Sequence, residues 1–282
     1  MLLVDRESRS NIQKFKTTKT ALKFAIFVFP MNFLLIIPRT LWKLVFILNF
    51  VLGLIVLYPL FSIFLSKREW YPKAFELKKF WAKWILYVPG IFIKVKREVP
   101  IEKLPHPAVY CANHSSYLDI VMSYLVIPNY YVFMGKQELD KAPLFRIFFK
   151  DMNILVDRGS NTSSHRAFMR AGKEIDKGNG AFIYPEAGIS SNGKLRGFKN
   201  GAFKLAIEKQ VPIVPITYLN NWRLLQNGGF FKSFGGPGIS HIIVHAPIPT
   251  KGLTENDLVS LKTKVHDIIA KELEKHDSST SR

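Results

Sequence analysis

The alternation of apolar and polar positions separates the chain into two parts. The part before Ile91 contains long apolar runs between basic residues. From Ile91 to Lys96 every second residue is aliphatic, which is the period of a half-exposed β-strand. Short apolar runs then alternate with amphipathic segments through most of the remaining chain. We therefore predict a basic arm and membrane-associated helical segment over residues 1–89 and a folded domain over residues 90–282.

The folded domain is predicted to be α/β, with a mostly parallel sheet flanked by helices, because strands and helices alternate along it. The later predicted strands are Ala108–Ala112, Tyr131–Gly135, Ile154–Val156, Ala181–Tyr184, Val211–Thr217 and Ser240–His245. The predicted helices are Tyr117–Ile127, Pro143–Phe149, Ser163–Lys177, Gly201–Lys209 and Glu255–Glu274. Several glycines between Gly228 and Gly238 predict a flexible loop.

The N-terminal part begins with a polar, basic stretch over residues 1–20, which we expect to be a disordered arm. The interrupted apolar segment Leu22–Ile37 is typical of a membrane interface. Met31 could itself be the first residue of the protein. One hypothesis is therefore that the gene model is too long and that the first thirty residues are not part of the native chain.

The run from Leu44 to Leu65 is apolar apart from Asn49 and Ser62, and it is long enough to cross a bilayer core of about 30 Å. It is too long for a signal peptide, and no small-residue cleavage site follows it. Basic residues flank both ends, which draws both ends to the same side of a membrane. A full span and a hairpin bent at Gly53 or Pro59 therefore both remain open.

The segment Phe75–Val88 places aromatic residues among lysines. This composition is typical of a helix at a membrane interface, and an ordinary amphipathic packing helix explains it equally well.

Composition agrees with a membrane surface, because the formal net charge is +19 and 48% of the residues are hydrophobic. Nucleic-acid binding is disfavoured, since no such motif is visible and the basic residues flank apolar segments. The single cysteine, Cys111, excludes an intrachain disulfide and a cysteine metal cluster, and it fits a reducing, cytosol-facing location.

Candidate chemistry begins at Cys-Ala-Asn-His-Ser-Ser-Tyr-Leu-Asp, which runs from Cys111 to Asp119. His114 suits a general base, and a carboxylate such as Asp119 can fix its tautomer. Two residues five positions apart on one helix would point about 140° apart. We therefore place His114 in a strand-to-helix turn and Asp119 in the first helical turn, where the imidazole can fold back onto the carboxylate.

Further candidates follow other predicted elements. Glu186 emerges where the strand Ala181–Tyr184 ends, and Arg158 follows the strand Ile154–Val156. Ligands of open α/β sheets collect at these strand ends. Arg196 and Lys199 precede a helix and are cations suited to phosphate.

Four stretches, Asn-His-Ser-Ser-Tyr-Leu-Asp, Ile-Leu-Val-Asp-Arg, Tyr-Pro-Glu-Ala-Gly and Val-Pro-Ile-Val-Pro-Ile, resemble in order the motifs of the glycerolipid acyltransferase family. The resemblance covers roughly Val95 to Ile216. It implies transfer of a fatty acyl chain from acyl-CoA or acyl carrier protein to the free hydroxyl of a lysophospholipid, 1-acyl-glycerol-3-phosphate, which gives phosphatidic acid. It also implies an apolar N-terminal helical segment that docks the enzyme on a membrane bilayer. We further expect a catalytic domain that faces the cytoplasm, no metal or other cofactor and no nucleic-acid partner.

The resemblance also implies roles for single residues. His114 would be the general base with Asp119 as its partner, Arg158 would bind the acceptor's phosphate, and Glu186 would belong to the acceptor site. Backbone N–H groups near the His114 turn would be the natural oxyanion stabilisers.

One departure leaves the acceptor headgroup open. After the glutamate the family usually has glycine, threonine and arginine, and this chain has Ala187, Gly188 and Ile189. Either Arg196 or Lys199 replaces the missing arginine, or the acceptor is a lyso-amino-acid lipid such as a lyso-ornithine or lyso-glycine lipid.

Two other classes of function are weaker. A serine hydrolase using Ser115 or Ser116 lacks the Gly-x-Ser-x-Gly elbow, and a serine beside the histidine in sequence is poorly placed to be its partner. A basic membrane-surface adaptor without activity would leave the set of His114, Asp119 and Glu186 unexplained.

Overall fold

The computed structural model of the protein describes residues 36–137, 141, 144–149, 152–157 and 159–280. The expected basic arm, the Met31 start and most of the segment Leu22–Ile37 lie outside the described residues. So does Arg158, one of the residues expected to bind phosphate.

Within the described residues, seven strands form one sheet in the order β1-β7-β6-β2-β5-β3-β4. From β6 to β4 all neighbouring strands are parallel, which confirms the predicted α/β class with a mostly parallel sheet. The strands are β1 Ile91–Arg97, β2 Val109–Ala112, β3 Tyr131–Lys136, β4 Ile154–Val156, β5 Gly180–Ile183, β6 Ile213–Tyr218 and β7 Gly238–Val244.

Strand β7 is antiparallel to β6 and parallel to β1, which the sequence did not predict. The chain turns back at the end of β6 and returns beside it, and this connection contains no helix that crosses a sheet face. Neighbouring strands joined in this way run antiparallel.

Helices cover both faces of the sheet, so the central strands are buried on both sides. In β2, Tyr110 and Ala112 belong to the apolar core under α1, α2 and α3, whereas Val109 and Cys111 belong to the core under α4, α5 and α7. The helices are α1 Ile36–Phe64, α2 Tyr71–Tyr87, α3 Leu118–Val126, α4 Asn161–Asp176, α5 Gly201–Lys209, α6 Asn221–Leu224 and α7 Leu258–Thr280.

Most predicted elements occur within a few residues of their predicted bounds. The helix predicted over Pro143–Phe149 is wrong for the residues described there, where a single 3-10 turn spans Arg146–Phe148. The loop expected between Gly228 and Gly238 ends one residue early, because Gly238 pairs with Ile91 as the first residue of β7.

Helix α1 runs without interruption through Gly53 and Pro59, so the alternative of a hairpin bent at these residues is wrong. It is long and apolar enough to cross a membrane, and about a third of its apolar stretch is buried within the protein. One face packs on the domain and the other exposes large apolar side chains. The helix is therefore an N-terminal element suited to membrane association.

Helix α2 packs against both α1 and α3, through the ring pairs Phe50–Trp81 and Phe75–Tyr124. Trp81 on α2 is buried, and a side chain at Gly53 of α1 would meet its ring, since an added Cβ would lie 2.7 Å from Trp81 Nε1. Ala74, Phe75 and Leu86 of α2 are also fully buried. Of the two interpretations of this segment, the structure favours the packing helix.

Candidate active site

The candidate site begins where β2 ends. Asn113 extends the pairing of β2 with β6 through its side chain: Nδ2 donates to Tyr218 O at 3.0 Å, and Oδ1 accepts from Tyr218 N at 2.8 Å. The next residues form the turn that leads to α3, and α3 begins at Leu118. His114 therefore lies in the turn, and Asp119 lies in the first turn of the helix.

The imidazole of His114 and the carboxylate of Asp119 are in direct contact, with Nδ1 and Oδ2 3.0 Å apart. Asp119 is fully buried, and His114 is 5% exposed. A carboxylate can only accept a hydrogen bond, so Nδ1 carries the proton of the neutral ring and Nε2 keeps the free lone pair. The Tyr184 ring stacks on the imidazole at 4.0 Å, with the planes 12° apart, which fixes the ring from its face as well.

Asp119 accepts three further hydrogen bonds. Ser115 N and Ser116 N donate to Oδ2 at 2.7 and 2.9 Å, and Asn221 Nδ2 donates to Oδ1 at 2.7 Å. Asn221 is itself oriented, because its Oδ1 accepts from Ser240 Oγ at 2.5 Å. These donors compensate the cost of burying the carboxylate.

Sequence reasoning missed Asn221 and Ser240. Both are fully buried, and Asn221 stands more than one hundred positions from Asp119 along the chain. No local spacing connects such residues, and only the antiparallel return of β7 brings Ser240 to this place.

Glu186 follows β5, the neighbour of β2, and joins the two loops of the site. Its Oε1 accepts from His114 N at 2.7 Å, and its Oε2 accepts from Arg196 N at 2.9 Å. Burial raises the pKa of Glu186 to about 7, and the nearby charge of Asp119 adds to this, while the two amides and the Arg196 charge oppose it. Both carboxyl oxygens are thus occupied by backbone amides, and the side chain organises the histidine turn.

The backbone amides of this turn are occupied as well. His114 N donates to Glu186, and Ser115 N and Ser116 N donate to Asp119. The expectation that amides near His114 stabilise an oxyanion is therefore wrong for these three groups, because each amide proton already has a buried carboxylate as its acceptor.

The two neighbouring serines differ. Ser116 Oγ donates to Leu225 O at 2.6 Å and accepts from Leu118 N. Ser115 Oγ is buried and has no hydrogen-bond partner among the described residues. Within the described part of the chain neither hydroxyl bonds the imidazole, as a serine nucleophile would require.

The loop after Glu186 carries the departure from the family pattern. Ala187 has a φ of 56°, a left-handed conformation that glycine adopts more easily. Ile189 is half-buried. The guanidinium of Arg196 lies against the same loop, since a Cβ added at Gly188 would lie 3.0 Å from Arg196 Nη1.

Two of the residues that were expected to bind phosphate, Arg196 and Lys199, lie near this loop. The exposed Lys199 lies just before α5, and its backbone N donates to Pro185 O at 2.9 Å. Arg196 is also exposed. Arg158 would follow the carboxyl end of β4. In the sheet, β4 is the third strand from β2, so the carboxyl ends of these two parallel strands are about 14 Å apart.

The sequence of this chain is similar to those of known acyltransferases. The sequence profile of the family described as acyltransferase matches residues 93–219. The chain is 33% identical over 162 residues to the human 1-acyl-sn-glycerol-3-phosphate acyltransferase beta, covering 57% of each chain. It is 28% identical over 214 residues to the 1-acyl-sn-glycerol-3-phosphate acyltransferase of Haemophilus influenzae, covering 71% of this chain and 83% of the relative. The match thus spans little more than half of the human relative.

A solved structure is also similar. The crystal structure of the 1-acyl-sn-glycerophosphate (LPA) acyltransferase PlsC from Thermotoga maritima superimposes with a TM-score of 0.66, over 86% of this chain and 98% of the other. The sequence identity is 20%, so this similarity shows the fold.

Proposed function

We propose that the chain is an acyltransferase, which transfers a fatty acyl chain from acyl-CoA or acyl carrier protein to the free hydroxyl of 1-acyl-glycerol-3-phosphate and so gives phosphatidic acid. The acyltransferase profile that matches residues 93–219 and the similarity to the human relative support this proposal. The observation that carries the proposal is the buried contact between His114 and Asp119 in the turn that leads to α3. The relatives named above supply the substrate class.

In this proposal His114 Nε2 is the general base. It takes the proton of the acceptor hydroxyl while that oxygen attacks the thioester carbonyl carbon. An ester C–O bond forms and the C–S bond breaks, and the imidazolium returns the proton to the leaving thiolate. Asp119 holds the positive ring through the Nδ1 contact, and no covalent enzyme intermediate forms.

Glu186 acts one step away from the reacting atoms. It fixes the backbone of His114 and of Arg196 at the same time, because each of its oxygens accepts one of these two amides. This supports a role in shaping the acceptor site, in which the glutamate positions the base and the cation relative to each other.

Arg196 is proposed to replace the missing arginine at the acceptor phosphate, with Lys199 and Arg158 as further cations. The contact of Arg196 with Gly188 supports this, because it places a guanidinium on the loop that carries Ile189. A guanidinium can bind phosphate through two parallel hydrogen bonds. The alternative acceptor, a lyso-amino-acid lipid, needs no such cation.

The membrane supplies the acceptor. We propose that the outward apolar face of α1, within the N-terminal part over residues 1–89, docks the enzyme on a phospholipid bilayer. The catalytic domain then faces the cytoplasm, where acyl-CoA and acyl carrier protein are found. The net charge of +19 supports attraction to anionic lipid.

The purified chain in vesicles tests this function with acyl-CoA and two acceptors, lysophosphatidate and a lyso-ornithine lipid, each followed by product mass spectrometry. We expect phosphatidic acid from the wild type and none from His114→Ala, which should still fold because Asp119 keeps its three other hydrogen-bond donors. Retention of a tenth of wild-type turnover by His114→Ala would refute the base assignment.

The headgroup is tested by Arg196→Ala, which should raise the KM for lysophosphatidate by roughly ten- to a hundredfold. Lys194→Ala is the matched control, because Lys194 is an exposed cation of the same segment whose amide contacts Asn192 instead of Glu186. An unchanged KM for Arg196→Ala, or a tenfold wild-type preference for the lyso-ornithine lipid, would reject the phosphate acceptor and leave acyl transfer standing.

A further inference from the structure

A loop rich in aromatic residues projects beside the candidate site. Residues 226–236, which we name the aromatic loop, carry Phe230, Phe231 and Phe234 between two pairs of glycines. These side chains are 37, 66 and 44% exposed, and the first two rings touch edge to face with centroids 5.2 Å apart. Exposed clusters of large apolar side chains mark interaction surfaces.

The aromatic loop is fixed to α1 by a buried lysine. Lys43 is 4% exposed, and its Nζ donates to Phe230 O at 2.8 Å, to Ser233 Oγ at 2.9 Å and to Ser233 O. Nearby, the Arg39 guanidinium lies over the Phe234 ring, 4.6 Å from its centroid. The loop therefore keeps a defined position on the helix whose outward face is apolar.

The base of the aromatic loop is fixed to the candidate active site. Leu225 O accepts from Ser116 Oγ at 2.6 Å, and Gln226 Nε2 donates to Ser191 O at 2.9 Å. Ser116 belongs to the histidine turn, and Ser191 follows the Glu186 loop. Whatever the aromatic rings bind is thus held close to the catalytic residues.

Charge narrows the choice of partner. Lys232 stands between the phenylalanines, and the sequence contains no aspartate or glutamate from residue 209 to 254 or from residue 8 to 68. Aromatic rings with neighbouring basic groups are the side-chain types that settle at the headgroup level of anionic bilayers. Both the loop and the helix to which it is attached lie in stretches of sequence without acidic residues, and this favours an anionic lipid surface over a protein partner.

We propose that the aromatic loop is a second membrane-inserting element, in which Phe230 and Phe231 enter the interface of an anionic bilayer and hold the candidate site at the lipid surface. This inference rests on the proposed membrane location of the enzyme and adds the loop to α1. Lys43 couples the two elements, so that they dock as one rigid unit.

Site-specific labelling tests the insertion. The single natural cysteine, Cys111, is buried, so a fluorophore on Phe231→Cys reports from the aromatic loop alone. Vesicles of phosphatidylcholine with about one third phosphatidylglycerol, carrying a quencher on the acyl chains, should quench this label in the full-length protein. A label on Val259→Cys, an equally exposed position of α7, should stay bright.

Removal of the rings tests the consequence. The double variant Phe230→Ser, Phe231→Ser should bind these vesicles about tenfold more weakly and acylate vesicle-embedded acceptor less, while a monomeric short-chain acceptor is still turned over within about twofold. Val259→Ser should change neither value.

These experiments distinguish a failure of the membrane insertion from a failure of the proposed acyl transfer. An unquenched Phe231→Cys label on protein that is bound to vesicles, or unchanged binding of the double variant, overturns the insertion while acyl transfer stands. If the Phe231→Cys label is not quenched and the double variant has a lower oligomer mass than the wild type, the aromatic loop contacts a second copy of the chain. This result would also overturn the membrane insertion. Quenching without any acyl transfer would support the insertion and refute the proposed function.

Discussion

The substitution Asp119→Asn tests what the carboxylate does for His114. Three donors converge on Oδ2, and the Asn221 amide donates to Oδ1. The oxygen of the new amide must take the place of Oδ2, so its NH2 group would face the NH2 group of Asn221. Asn221 can turn over, because Ser240 Oγ is able to accept as well as donate a hydrogen bond. We therefore expect the variant to fold.

The expected loss is in the chemical step. A carboxylate about 4 Å from the centre of an imidazolium stabilises it by about 4 kcal/mol at an effective dielectric constant of about 20. A neutral amide keeps the hydrogen bond and loses most of this charge interaction. Since about 1.4 kcal/mol corresponds to a factor of ten in rate, kcat should fall about a thousandfold. Stability should fall by only about 1 to 2 kcal/mol, the difference between charged and neutral hydrogen bonds.

The assay is release of the CoA thiol by the vesicle-bound enzyme at saturating acceptor, with kcat and KM determined separately. Asp267→Asn is the matched control, because His266 Nδ1 and Asp267 Oδ1 form the same type of contact on exposed side chains, at 3.4 Å. It should leave kcat unchanged. If Asp119→Asn kept a tenth of wild-type kcat, the carboxylate would be a structural residue and the reasoning above would be wrong.

Three further predictions concern neighbouring groups. Asn221→Ala removes the hydrogen-bond donor to Asp119 Oδ1. We expect kcat to fall about tenfold with little change in KM, and the pH–rate profile to shift. An unshifted profile would contradict the positioning role of Asn221. Because burial raises the pKa of Glu186 from 4.5 to about 7, the folded state holds this proton more tightly, and the free energy of unfolding should fall by about 3 kcal/mol as pH rises between these values. Urea titrations of Glu186→Gln in detergent should lack this fall. Ala187→Gly relieves the strain of the left-handed backbone and should raise the free energy of unfolding by up to about 1 kcal/mol. The control Ala206→Gly, inside α5, should lower the free energy of unfolding by at least as much. Equal effects at both positions would refute the strain argument.

The sequence by itself determined the local features of this protein. The apolar runs placed the strands, because a parallel sheet covered on both faces requires continuous apolar residues. The five-residue spacing of His114 and Asp119 placed the histidine in a turn, because one helix cannot bring both side chains together. The ordered motifs indicated the family, because each motif is a short continuous stretch that can be recognised without the fold.

Only the tertiary structure decided how distant segments meet. The antiparallel direction of β7, the support of Asp119 by Asn221, and the attachment of the aromatic loop to α1 by Lys43 all join residues far apart in sequence. Such contacts have no local periodicity, because packing of whole elements sets them. Packing also decided that the amide of His114 donates to Glu186, since that depends on where Glu186 arrives from the neighbouring strand.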